Sequence, residues 1–214
     1  MTRTFCVAAA LLACSVNAAH GRPVSYQGGW TAIEQTDRQS SAVWIHYTLN
    51  PRLSLGYRGE WDRGQDYVFQ GAQATALAKR WFGENYQANL YGFAGAGVAY
   101  GVDDNAAGAR PAAFVGVLAD WETRRWFLSY KARAIEAGEV DASAAQAARI
   151  GYAPYEGDTG DLHTWAMIEI DHRADNPEPV GVTPLVRLFK GPMLLEAGWS
   201  VLDDEPLFNF TYRF

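Results

Sequence analysis

The sequence predicts an all-β chain, closed into an antiparallel membrane-spanning β-barrel of about twelve strands, with about ten as the lower bound. Three observations predict it. Apolar and polar residues alternate with period two in run after run, as in strands with one apolar and one polar face. Several runs reach about ten residues, the length a tilted strand needs to cross a bilayer. Full charges of both signs sit mid-strand on the polar face, whereas the apolar face is almost free of them. A soluble β-sandwich alternates too, so strand length and charge placement decide between the two.

The first element, 1–18, reads as a signal peptide. Arg3 supplies a positive start, and Phe5 to Ala13 form an apolar stretch too short for a membrane-spanning helix. Val16-Asn17-Ala18 places small residues where a signal peptidase reads, which leaves 19–214 as the barrel domain. Losing Arg3 moves the net charge from -6 to -7. Both cysteines, Cys6 and Cys14, lie in the peptide, so cleavage after Ala18 leaves no thiol chemistry. Leu11-Leu12-Ala13-Cys14 keeps a second option open, a lipobox with Cys14 as the lipidated N-terminus.

The strands follow at roughly 29–37, 41–50, 52–62, 66–79, 86–100, 111–122, 125–135, 146–153, 162–173, 181–190, 192–201 and 206–214. In the second, Val43, Ile45, Tyr47 and Leu49 alternate with Trp44, His46 and Thr48. In the third, Leu53, Leu55, Tyr57 and Trp61 alternate with Arg58, Glu60 and Asp62. Alanine and glycine blur the faces of the fourth and fifth. The sixth, seventh, ninth and eleventh put Asp120, Glu122, Lys131, Arg133, Glu169, Asp171 and Glu196 on the polar face. Arg173 joins that face from the ninth strand, and Arg149, Arg187 and Arg213 join it from the eighth, tenth and twelfth.

The links agree with an even strand count. If the first strand starts in the periplasm, every second link lies there and should be short. Asn50-Pro51-Arg52, Glu122-Thr123-Arg124 and Lys190-Gly191-Pro192 are short, whereas 79–86 and 154–161 are longer. The outer links hold Asp37, Asp62, Asp66, Asp103, Asp104, Glu136, Glu139, Asp141, Asp175, Glu178, Asp203, Asp204 and Glu205, against Arg38, Arg63 and Arg110. The periplasmic turns collect Arg52, Lys79, Arg80, Arg124, Arg125 and Lys190. Trp121, Trp126, Tyr212 and Phe214 at one set of strand ends, and Trp61, Tyr100 and Trp199 at the other, suit two interfacial aromatic girdles.

The last strand alternates Phe208, Phe210, Tyr212 and Phe214 with Asn209, Thr211 and Arg213. It resembles the C-terminal signature of small Gram-negative outer-membrane β-barrel proteins. The resemblance implies delivery to the outer membrane by the barrel-assembly machinery, with outer-membrane lipid and lipopolysaccharide as surroundings and a monomer as the favoured state. A second resemblance rests on Gly28-Gly29-Trp30-Thr31, His46-Tyr47, Gly56-Tyr57-Arg58, Lys79-Arg80-Trp81 and Gln87-Ala88-Asn89-Leu90-Tyr91. These look like an uncharacterised proteobacterial group associated with copper and heavy-metal resistance loci, over roughly residues 25–100. It implies context, not mechanism. His and Met are scarce, and no Cys/His/Met cluster stands at ligand spacing, so the residues name no metal site and no cofactor.

The candidate functional residues are the lumen-lining charges Arg58, Glu60, Asp120, Glu122, Lys131, Arg133, Arg149, Glu169, Asp171, Arg187 and Glu196. With signs nearly balanced, they can pair and fill a narrow barrel, or line a water-filled pore and set its selectivity. Strand count does not choose, because twelve lies between small filled barrels and wide porins. The residues thus suit a non-enzymatic barrel, either a porin-like narrow channel or a charge-filled structural barrel. The alternative is a lipid-modifying barrel enzyme of the phospholipase or lipid A deacylase type, which needs a nucleophile beside a histidine base. His46, His163 and His172 lie in strands; His46 has Thr48 beside it on the same face but no His-x-Ser arrangement, and no catalytic residue is assigned. The acidic outer links could hold divalent cations that bridge lipopolysaccharide, or be a solvated, self-repelling surface. A pI near 5.2 without a basic patch argues against nucleic acid.

Overall fold

The computed structural model describes residues 23–102, 107–158 and 160–214; the signal peptide and lipobox readings lie outside them. Among the described residues, twelve strands form one closed antiparallel barrel. They are β1 (Trp30–Thr36), β2 (Ser40–Asn50), β3 (Leu53–Asp62), β4 (Tyr67–Phe82), β5 (Gln87–Gly101) and β6 (Arg110–Glu122). The rest are β7 (Trp126–Glu136), β8 (Ala142–Tyr152), β9 (His163–Arg173), β10 (Val180–Lys190), β11 (Met193–Trp199) and β12 (Pro206–Arg213). Each strand pairs with its sequence neighbours, and β12 returns to β1 with Thr31 opposite Arg213 and Thr36 opposite Phe208. Closure leaves no strand edge to template aggregation.

The side-chain period of two decides which face is wet. Val43, Ile45, Leu55, Val115, Val117, Leu128, Ile150, Ile168, Ile170 and Val186 form an exposed apolar exterior. Such a surface is unfavourable in water and favourable against hydrocarbon. Aromatic pairs ring the end where β1 begins, here the near end. Trp30 lies 5.4 Å from Tyr47, Trp126 5.0 Å from Tyr152, and Tyr212 5.7 Å from Phe214. At the far end the Trp199 indole donates to Asp204 Oδ1 at 2.8 Å, keeping its polar edge satisfied at an interface.

Three readings of the links need correction. Lys79 and Arg80 are not in a near-end turn: β4 runs on to Phe82, and Gly83 to Tyr86 make the turn, with the Gly83 N–H donating to the Tyr86 carbonyl at 2.9 Å. The register slips between Leu77 and Lys79, so one extra residue flips the faces that follow. β8 begins at Ala142 rather than 146, because its ladder with β7 reaches Glu136 opposite Ala142. Ala142, Ser143, Ala144 and Ala145 have too little facial contrast to show this in the sequence. Finally, Asp62 and Asp141 are not solvated loop acids. Both are buried, Asp62 as the last residue of β3, and both bond to Arg173.

Glycine in β5 and β6 makes room for aromatic rings inside the barrel. A Cβ on Gly95 would stand 2.3 Å from the Phe114 ring, and one on Gly116 would stand 2.3 Å from the Phe93 ring and 2.5 Å from the Ala132 carbonyl oxygen. Phe114 in turn packs with Phe69, Tyr67 and Ile135 as an apolar cluster. The rings thus cover the glycine backbone, and a carbonyl in the sheet cannot step aside. Gly116→Val should cost about 1–3 kcal/mol, as overpacked cores do; urea titration of the refolded barrel measures it, and an unchanged midpoint would refute the close-packing argument.

Candidate functional site in the barrel interior

The interior begins with which side chains the alternation turns inward. Arg58, Glu60, Glu122, Glu169, Arg187 and Glu196 are buried, and Asp120, Lys131, Arg133, Arg149 and Asp171 are half-buried. All but Glu196 line one cavity of about 280 Å³. Its walls run from Pro23, Thr211 and Glu122 near one end to Asp37, Gln39, Asp62 and Arg173 near the other. A volume of this size drawn out along a whole barrel is narrow.

Ion pairs organise the space into three groups. In the first, Arg58 Nε donates to Glu60 Oε2 at 2.7 Å, and Arg133 Nη1 of β7 donates to Glu60 Oε1 at 2.5 Å. Arg58 also lies 4.9 Å from the Trp44 ring centre, and Arg133 4.4 Å from that of Phe114. In the second, Glu196 of β11 accepts from Arg149 Nη1 at 2.8 Å, Arg187 Nε at 2.5 Å and Asn209 Nδ2 at 2.5 Å. Arg149 bonds Glu169 as well, so β8 to β12 share one charged wall.

The third group crosses the lumen. Arg173 on β9 bonds Asp62 on β3, six strands away around a ring of twelve. The two strands therefore face each other across the barrel. The same guanidinium donates to Asp141 at 3.2 Å and to Ser143 Oγ at 2.9 Å. Just above, Arg38 of the β1–β2 link donates to Asp171 and to Asp203, each at 2.8 Å. Burial works to lower the Arg38 pKa, but its bonds to Asp171 and Asp203 outweigh that and raise it. Burial works to raise Asp203, whereas hydrogen bonds with Glu178, Ser200 and Arg38, and the Arg38 charge, hold it below its ordinary value.

The near end is narrowed differently. Val24 is buried against Leu77 and Tyr91, the Pro23 carbonyl accepts from Ser54 Oγ at 3.0 Å, and the Ser25 N–H donates to Thr48 Oγ1 at 3.3 Å. The segment before β1 thus enters the barrel mouth, and no periodicity in the sequence announces it. The alternation puts Arg173 on the inner face, whereas position along the chain puts Asp62 and Asp141 in the outer links. Local patterning carries no information about residues 111 positions apart.

The enzyme reading requires a hydroxyl in reach of a histidine. His46 is buried on the inner face, and its Nε2 has no hydrogen-bond partner among the described residues. The His163 ring packs 6.0 Å from Phe189. Among the described residues no group of three or more His, Cys, Asp or Glu is arranged to hold a metal ion.

Phe208, Phe210, Tyr212 and Phe214 face outward from β12 and its end, while Leu207, Asn209, Thr211 and Arg213 are buried.

No protein family pattern matches the chain. No curated protein is similar to it in sequence. Solved structures are similar in fold. One is the KdgM porin in complex with disordered oligogalacturonate, at 9% identity and TM-score 0.50, covering 87% of this chain and 98% of that one. A further KdgM porin structure is 11% identical over the same shares, with TM-score 0.48. OccK11 (OpdR) of Pseudomonas aeruginosa is 7% identical with TM-score 0.43, covering 94% of this chain and 73% of its own. At such identities the likeness is one of fold. The KdgM porin likeness lends no support to the heavy-metal resistance resemblance.

Proposed function

We propose that this chain is a narrow channel of the bacterial outer membrane, whose interior ion pairs hold the lumen constricted. The observation that carries the reading is one continuous cavity lined from Pro23 and Glu122 to Asp37 and Gln39. A barrel packed solid by charge pairs would break that lining into separate voids. The charges along it would set which ions pass.

The membrane part of the reading is supported by the apolar exterior and its aromatic rings. The outward Phe208, Phe210, Tyr212 and Phe214 suit recognition by the barrel-assembly machinery, and the acid-rich far-end links suit the lipopolysaccharide side. Closure without a free edge suits a monomer. A link to metal or envelope stress gains nothing from the interior, whose cavity is lined by guanidinium, carboxylate and aromatic groups.

Single-channel recording of the refolded 19–214 barrel in planar bilayers tests the proposal. Small, discrete conductance steps are expected. A barrel that inserts yet shows no step, even with Arg173 replaced by Met, would establish a filled structural barrel instead.

A further inference from the structure

The geometry points to a binding site for a small oxyanion, a carboxylate or phosphate group, at Arg133 and Lys131 in the lumen. It deepens the channel reading by naming the charge class of the solute.

The first argument is charge count. Arg58, Lys131 and Arg133 cluster on the facing inner surfaces of β3 and β7, and Lys131 is within electrostatic range of the other two. Glu60 is the carboxylate bonded to the cluster, and it takes both arginines. Asp37 is also within range of Lys131, its Oδ1 accepting from the Gln39 N–H at 2.9 Å and the Ser40 N–H at 2.8 Å, and counting it still sets three cations against two carboxylates. Lys131 forms no ion pair with a described residue and lines the cavity. The cluster therefore carries surplus positive charge in a low-dielectric surround, which favours a bound anion.

The second argument is geometric. Arg133 gives Nη1 to Glu60 and stacks its face on Phe114. Its Nε and Nη2 are shut away from solvent and bond to no described residue. Those two nitrogens form one edge of the guanidinium, with parallel N–H vectors that match the two oxygens of a carboxylate or phosphate. Two buried donors without an acceptor are costly to leave so. Arg133 itself lines the cavity, so a solute there would meet that edge once rotation about the side-chain bonds turned it to the lumen.

Trp44, with Arg58 at 4.9 Å from its ring, reports on the cluster through its fluorescence. The refolded barrel is titrated with inorganic phosphate, acetate and chloride at constant ionic strength. Saturable changes with phosphate and acetate but not chloride are expected. They should weaken about 10- to 100-fold in Arg133→Lys, which keeps the charge on Glu60 but loses the two-donor edge. Lys131→Met should weaken them as well, and Trp44→Phe should remove the signal. No saturable change, an equal response to chloride, or full affinity in Arg133→Lys would overturn the site. The readout does not depend on conduction, so a barrel that never conducts can still bind and one that conducts can fail to.

Discussion

Replacing Arg173 with Met should unlock the far end of the barrel. Arg173 is 5% exposed and its guanidinium holds Asp62 and Asp141, which are 2% and 8% exposed. Without it two buried carboxylates face each other with no cation between them. Removing one partner of a buried pair costs about 3–5 kcal/mol, most of it the desolvation of what remains. The expected outcome is a lower urea midpoint for the refolded barrel, together with a larger single-channel conductance, because this bond joins opposite walls. Arg173→Lys should recover part of the stability through charge alone, without the second donor to Ser143. A stable Arg173→Met barrel with unchanged conductance would show that β3 and β9 are held together by other contacts.

Glu196→Ala should be of similar size for a different reason. Its carboxylate collects two arginines and an asparagine from three other strands, β8, β10 and β12. Arg149 retains Glu169, but Arg187 loses its ion-pair partner while its guanidinium stays 4.3 Å from the Phe127 ring. About 3–5 kcal/mol is again expected. The loss should be local to the β8–β12 wall, so amide exchange should accelerate there more than in β3 to β6. Glu196→Gln keeps an acceptor oxygen and should fall between the two. If the loss is below about 1 kcal/mol, the wall is wet enough to screen the pairs, and the lumen is wider than its cavity suggests.

The two variants differ in what they do to function. Arg173 joins strands across the lumen, so its removal changes both stability and passage. Glu196 joins strands along one wall, so its removal weakens the wall and leaves the constriction in place. Measured together, they separate the charges that hold the barrel from those that close it.

The strand count and the facing of each side chain were legible in the sequence because both are local. Period two says which residues share a face, and the charge-free face must be the one that meets hydrocarbon. Period two puts Arg58, Glu60, Lys131 and Glu196 on the polar face. In β4 and β8 Ala, Gly and Ser give the two faces equal polarity, and hydrogen-bond pairing with the neighbouring strand sets the limits instead. Which charges meet was decided only by the tertiary structure. Barrel closure brings β3 opposite β9 and turns Asp62 from a loop acid into the partner of Arg173. The same closure leaves the segment at Val24 inside the near mouth and one edge of Arg133 without an acceptor. The alternation determined a membrane barrel with a charged interior; closure decided which of those charges lock the lumen and which remain to bind, because pairing across a barrel depends on distance through space and not along the chain.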